Sequence, residues 1–215
     1  MQKAFLFDMN GTMIDDMQYH IIAWHRILND MGVLINMQQM KMECYGKNDE
    51  LLERMQPGRF SADEKAAMSY EKEKQYQKKF KPNLQLLPGL ADFFEKSKQH
   101  NIPMAIGTAA IMYNVDFVLD GLDLRSYFDA VVSAEDIRFS KPDPETFIKC
   151  AEHLNVPTEH CIVFEDSPKG VEAALNAGME AVVITTMHEA HEFSHLNNIL
   201  LFVKDYTDRQ LEILF

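Results

Sequence analysis

The chain has 215 residues, 47% of them hydrophobic, and a formal net charge of −12. That is enough apolar material for one core domain, or a core with a smaller insert, without a disulfide or metal staple. An acidic surface repels nucleic acid and anionic lipid, so both are excluded as partners; a phosphorylated small molecule is not, because one pocket can be positive inside a negative surface.

Cys44, Cys150 and Cys161 are an odd set without CxxC or zinc-finger spacing. They are expected to be reduced, mostly buried thiols of a cytoplasmic protein. No leader segment is expected, since the first apolar run begins almost at once. No apolar run approaches the ~20 residues of a membrane span. The fourteen methionines read as adaptable core filler.

The first short apolar run is AFLF (4–7), which ends in Asp8 and is followed by Asn10-Gly11-Thr12. It reads either as one arm of a hairpin turning at Asn-Gly or as a strand that delivers a carboxylate into a tight turn. From residue 17 to about 82 there is no convincing strand. QYHIIAWHRILNDMG (18–32) is an amphipathic helix with a glycine stop, and NDELLERM (48–55) is a second apolar-periodic piece. SADEKAAMSYEKEKQYQKKF (61–80) is a long helix in which Ser61 and Glu64 have capping-box spacing, with acids early and Lys78-Lys79 late.

Beyond Pro82 a different rhythm begins. PMAIG (103–107), AVVS (130–133), CIVF (161–164), AVVIT (181–185) and ILLFV (199–203) are apolar without clean alternation, as in strands buried on both faces. Helical patterns alternate with them at 90–99, 115–122, 145–154 and 170–178. The fold expected is therefore α/β: a Rossmann-like three-layer core with a parallel sheet, formed by residues 1–15 and 83–215, and an all-α helical-bundle cap, residues 16–82, inserted after the first strand.

In such sheets ligands bind at the carboxyl ends of the strands. Asp8, Thr108, Lys141 and the pair Glu165-Asp166 all follow expected strands. Each has a plain structural explanation on its own: a turn residue, a helix N-cap, a solvated loop lysine and another helix cap. Together they bring a carboxylate, a hydroxyl, an ammonium and a carboxylate pair to one sheet edge, a set suited to a hard metal ion and a phosphoryl group.

Four segments in this order, DMNGT (8–12), Thr108, SKPDPETF (140–147) and FEDSPKGVEAALNAGM (164–179), resemble the haloacid dehalogenase superfamily of aspartyl-nucleophile phosphotransferases. YHIIAW (19–24) and GLDLRSYFDAVVSAEDI (121–137) resemble its β-phosphoglucomutase-like branch. The resemblance spans residues 4 to about 185. It implies that Asp8 is the nucleophile, that Asp8, the Asn10 carbonyl, Glu165 and Asp166 hold Mg²⁺, and that Thr108, Ala109 and Lys141 bind phosphoryl oxygens. It implies that Gly11 leaves room for close approach, and that the inserted helices form a lid whose His20, Trp24 and Lys47 help choose the substrate. For His20 and Trp24 the competing explanation is helix packing; for Lys47 it is a loop charge.

Two departures matter. The family's acid/base, normally an Asp at position 10, is Asn10, and an amide cannot cycle a proton. Ile111 and Met112 stand where the mutase branch places a cation for a distal phosphate. The expected function is thus a Mg²⁺-dependent phosphatase, a monomer slowed by Asn10, acting on a small phosphorylated metabolite of sugar-phosphate type. The alternatives are a β-phosphoglucomutase-like mutase and a catalytically weak phosphate-binding or regulatory protein. Asn10-Gly11 is also a dipeptide open to deamidation, which would regenerate an aspartate there.

Overall fold

The structure, a computed structural model, describes residues 3–215. The chain forms two compact units. One holds the described residues up to Asp15 together with Gln85–Phe215; the other is Asp16–Leu84. No helix among the described residues is long and apolar enough to cross a membrane.

The first unit is a six-stranded parallel sheet: β1 (Ala4–Phe7), β2 (Met104–Gly107), β3 (Ala130–Val132), β4 (Cys161–Glu165), β5 (Glu180–Ile184) and β6 (Ile199–Val203), in the order β3-β2-β1-β4-β5-β6. β1 pairs in parallel with both β2 and β4, with Phe5 opposite Met104 on one side and Ile162 on the other. The hairpin reading of Asn10-Gly11 is thereby excluded, because no neighbour of β1 runs antiparallel to it. The chain reverses its direction of travel across the sheet at β1, which makes the carboxyl end of β1 the expected ligand crevice.

Side chains alternate across the strands, and both faces are covered. On one face Phe5 and Phe7 of β1 meet Phe93 and Phe94 of a helix that runs Leu90–Gln99, at ring separations of 5.5 and 5.3 Å. Phe7 stacks on Phe164 of β4 at 4.6 Å. On the other face Leu6, Ala105, Val163 and Val183 pack with Phe147 and Cys150, and with Val171 and Ala174. Burying each such phenylalanine contributes ~1.5–3 kcal/mol. This two-sided burial is why the strands read as continuous apolar runs.

The second unit is all helical: α1 (Met17–Asp30), α2 (Met37–Glu43), α3 (Asn48–Met55) and α4 (Ala62–Phe80). α1 packs on α2 and α4, and α3 on α4. The remaining α-helices among the described residues, all in the sheet unit, are α5 (Leu90–Gln99), α6 (Met112–Gly121), α7 (Glu145–Leu154) and α8 (Pro168–Asn176). The capping box of α4 forms as its spacing predicts: the Glu64 amide donates to Ser61 Oγ and the Ser61 amide to Glu64 Oε2. α2 has no counterpart among the expected helices. It buries only Met40, so its apolar stripe is too thin to read; its signal is another capping box, in which the Gln39 amide donates to Asn36 Oδ1 and the Asn36 amide to Gln39 Oε1. Two capping expectations are corrected. α6 begins at Met112, so Thr108 is not its N-cap; the cap of α8 is Ser167, whose hydroxyl accepts the Gly170 amide, and not Asp166.

The helical unit buries ions. On α4 the buried residues Ser69, Lys72, Glu73, Tyr76 and Phe80 fall on one helical stripe, and most of them are polar. Lys72 and Glu73 are each 2% exposed. Lys72 Nζ donates to Glu73 Oε1 at 2.8 Å and to His20 Nδ1 at 2.6 Å. An ammonium can only donate, so Nδ1 accepts and the Nε2–H is left for Asp16 Oδ2, 3.2 Å away. Tyr76 donates to the same Asp16 oxygen at 2.5 Å, and Asn48 Nδ2 donates to Glu73 Oε1 at 2.6 Å. Burial by itself would raise the Glu73 carboxyl, but the Lys72 ammonium and the hydrogen bonds from Asn48 and Lys72 outweigh it and take it from 4.5 down to about 2.

A depressed carboxyl stabilises the fold above its ordinary value and loses that contribution as pH falls through its folded value. Glu73→Gln is therefore expected to cost ~3 kcal/mol at neutral pH, the lower end for breaking a buried pair. In urea unfolding titrations the gap between wild type and variant should close as pH falls from 4.5 to about 2.

Candidate active site

Asp8 leaves β1 with its amide bonded to the Phe164 carbonyl of β4, 2.9 Å away, so the neighbouring strand continues to hold the backbone at this carboxylate. The next residues turn tightly. Gly11 has a φ of +78°, a conformation that favours glycine, and its amide donates to the Ile14 carbonyl at 2.8 Å. That bond occupies the nitrogen that would attack the Asn10 amide, so the fold opposes the deamidation to which the dipeptide is open. Two side chains from the far end of the chain tie the turn down: Thr186 Oγ1 donates to the Gly11 carbonyl at 2.6 Å, and the Tyr206 hydroxyl to the Thr12 carbonyl at 3.2 Å. Burial, followed by Asp8 and Asp166, pushes the Tyr206 phenol well above its ordinary value and keeps it a donor.

Lys141 is the hub. Its Nζ donates to Asp8 Oδ1 at 2.7 Å, Glu165 Oε1 at 2.8 Å and the Gly107 carbonyl at 3.0 Å, so three ammonium hydrogens meet three acceptors. Burial would lower its pKa, but Asp8 and Glu165 outweigh that and raise it, so the charge persists. The other Glu165 oxygen accepts from the Ser167 amide at 2.8 Å and the Ser167 hydroxyl at 3.0 Å. Thr108, 1% exposed, follows β2; its amide donates to the Val132 carbonyl, and its Oγ1 accepts the Ala110 amide at 3.1 Å. An oxygen that accepts there keeps its own hydrogen to donate elsewhere.

The carboxylates of Asp8, Glu165 and Asp166 bring oxygens within 4.8 Å of one another, and all three residues are buried. Three carboxylates against one ammonium leave an excess of negative charge away from water, and hard oxygen donors in that number suit Mg²⁺. The sheet unit thus assembles Asp8, Thr108, Lys141, Glu165 and Asp166 at its strand ends, with Asn10, Gly11 and Ala109 in the adjoining turns. His20, Trp24 and Lys47 belong to the helical unit. There Trp24 is 1% exposed with Lys72 Nζ 5.5 Å from its ring, and His20 stacks on Tyr76 at 3.9 Å, which is the packing explanation for both. Lys47 is half-buried and precedes α3.

A family model described as "Haloacid dehalogenase-like hydrolase" matches residues 5–184. The chain belongs to the haloacid dehalogenase-like hydrolases. It is 35% identical over 180 residues to the fructose-1-phosphate phosphatase YqaB of Escherichia coli K12, covering 83% of this chain and 94% of that one. It is 30% identical over 189 residues to the β-phosphoglucomutase of Bacillus subtilis, covering 84% and 82%. Among solved structures, a β-phosphoglucomutase from Clostridium difficile superposes with a TM-score of 0.86 at 27% identity, over 100% of this chain and 96% of that one.

Several residues of this hydrolase's site escaped the sequence. Thr186 and Tyr206 lie far from the four motifs and carry no local signal; Tyr206 follows β6 in a region the resemblance does not reach. Gly170 lies inside the fourth motif, but its reason is tertiary: a Cβ there would fall 1.8 Å from the Glu165 carboxylate. Gly170→Ala is expected to force Glu165 off Lys141 and Ser167 and to lower stability by ~3 kcal/mol or more, read by urea unfolding.

Proposed function

We propose that this hydrolase is a Mg²⁺-dependent phosphatase of a small phosphorylated metabolite, a sugar phosphate by class, acting through phosphoryl transfer to Asp8. The observation that carries the reading is the buried constellation in which Lys141 bridges Asp8 and Glu165 beside Asp166. The phosphatase and mutase relatives support the phosphosugar class.

Lys141 holds one oxygen of Asp8 and orients the carboxylate, whose other oxygen attacks phosphorus while the ester P–O bond breaks. A phosphoryl oxygen takes the place of one Lys141 acceptor, and Thr108 donates its remaining hydrogen to another. Water then attacks the phosphorus of the aspartyl-phosphate, releasing inorganic phosphate and restoring Asp8. Asp8, Asp166 and the Asn10 carbonyl would hold Mg²⁺ with Glu165 behind them; when bound, the ion supplies charge neutralisation of the transferring group. Asn10 donates a hydrogen bond to the leaving oxygen but gives it no proton; the leaving group departs as the anion and takes a proton from solvent, and the attacking water gives one up to solvent. Substrates with good leaving groups are favoured for that reason.

The mutase reading has relatives in its favour. Against it, Ile111 and Met112 stand where that branch places a cation for a second phosphate. The Met112 amide at the start of α6 faces the Glu135 carboxylate, 3.1 Å from each oxygen, so an acid occupies the surroundings of the position where the mutase branch places a cation. In the helical unit Arg54 is engaged by backbone carbonyls of its own unit.

Asn10→Asp is expected to raise turnover of an ordinary phosphomonoester about tenfold or more, against a usual general acid–base contribution of ~10²–10⁴-fold. Unchanged or reduced turnover would assign the proton to another group. Asp8→Asn, and chelation of the metal from the wild type, should each abolish phosphate release in a coupled phosphate assay. Conversion of a sugar phosphate to its isomer with no phosphate released would favour the mutase.

A further inference from the structure

The turn that leaves β1 is held at one carbonyl after another. The Met9 carbonyl accepts from the Met13 amide, and the Met13 carbonyl from the Leu87 amide, both at 2.9 Å. Between them the Gly11 carbonyl takes the Thr186 hydroxyl at 2.6 Å, and the Thr12 carbonyl takes the Tyr206 hydroxyl at 3.2 Å. The Thr12 hydroxyl is buried without a hydrogen-bond partner, so Thr12 is held through its carbonyl and not through its hydroxyl.

This arrangement aims the Asn10 carbonyl. Ile14 pairs with the residues on either side of Asn10: its amide meets the Met9 carbonyl at 3.4 Å, and its carbonyl accepts the Gly11 amide at 2.8 Å. The Asn10–Gly11 peptide is trans, so its C=O and N–H point in opposite directions. With the N–H spent on Ile14, the Asn10 oxygen is turned away from it. The next peptide carries the oxygen that Thr186 holds. Gly11 opposes rotation of these two planes less than any other residue would, so the restraint has to come from their bonds.

Both hydroxyls sit on fixed supports. Thr186 lies two residues beyond β5, and the amide of its neighbour Thr185 donates to the Val203 carbonyl of β6 at 2.9 Å. Tyr206 donates its own amide to the Pro88 carbonyl at 3.0 Å, and its ring lies 5.5 Å from that of Phe93 and 5.9 Å from that of Phe164. A Cβ on Gly89 would fall 2.6 Å from the Tyr206 carbonyl carbon, so the two backbones are in close contact.

We propose that Thr186 and Tyr206 are positioning residues that set the Mg²⁺ affinity of the site by aiming the Asn10 carbonyl. This rests on the Mg²⁺-dependent phosphatase reading, in which that carbonyl is a ligand; the restraint on the turn rests on the distances alone. Removing a group that supports a metal ligand weakens metal affinity about 10–100-fold. Mg²⁺ demands near-ideal octahedral geometry where Ca²⁺ tolerates an irregular one, so a loosened carbonyl penalises Mg²⁺ the more.

The test uses the full chain with Thr186→Val, Thr186→Ser and Tyr206→Phe, each titrated with MgCl₂ and with CaCl₂ by calorimetry without substrate. Thr186→Val and Tyr206→Phe should each raise the Kd for Mg²⁺ about tenfold and that for Ca²⁺ by no more than about threefold. Thr186→Ser keeps the hydroxyl and should bind Mg²⁺ as the wild type does. Unchanged Mg²⁺ affinity in Thr186→Val or in Tyr206→Phe overturns the role of that residue. An equal loss for both ions, or a Thr186→Ser as weak as Thr186→Val, overturns positioning in favour of a merely structural defect. A wild type that binds Mg²⁺ no better than its variants overturns the positioning alone; a wild type that binds none overturns the metal reading and the positioning with it.

Discussion

The site depends on one buried ammonium. Without Lys141 the strand ends would confront each other with carboxylates in a space closed to water, and removing one partner of such a pair is worth ~3–5 kcal/mol. With it, Asp8, Glu165 and the Gly107 carbonyl are locked to one nitrogen, so β1, β2 and β4 share a point of contact beyond their backbone ladders. The remaining parts are arranged to serve it. Ser167 steadies the far oxygen of Glu165, and Gly170 makes room for that carboxylate. Thr186 and Tyr206 hold the turn that carries Asn10.

The helical unit repeats the same physics for a different end. Lys72, Glu73, His20, Asp16, Tyr76 and Asn48 form a buried chain of hydrogen bonds that joins α1, α3 and α4. Apolar residues in those places would hold four short helices together at least as well. Ions demand a single register, because a shift of one residue leaves a charge unpaired away from water.

Asn10 separates two properties that an aspartate would combine. Its carbonyl and the turn around it are kept, since the Gly11 amide, the Gly11 carbonyl and the Thr12 carbonyl are all bonded. Its side chain contributes no proton. On the phosphatase reading, what an aspartate at position 10 would add is general acid help, a factor of ~10²–10⁴. That makes leaving-group chemistry the natural discriminator among substrates.

The sequence alone determined the alternation of buried strands and helices, the all-helical insertion and the motif residues Asp8, Thr108, Lys141, Glu165 and Asp166, because apolar period and short motifs are local properties. It did not disclose α2, whose single buried residue leaves no stripe, or the polar stripe of α4, since burial of charge reverses the pattern by which a buried face is read. It could not separate a selecting role for His20 and Trp24 from the packing the structure shows, nor distinguish Ser167 from Asp166 as the cap of α8. Thr186, Tyr206 and Arg54 act through backbone carbonyls distant in sequence or across a loop, and a carbonyl is the same in every residue. Only the tertiary structure decides which carbonyl a side chain meets, and so only it reveals what holds the site in place.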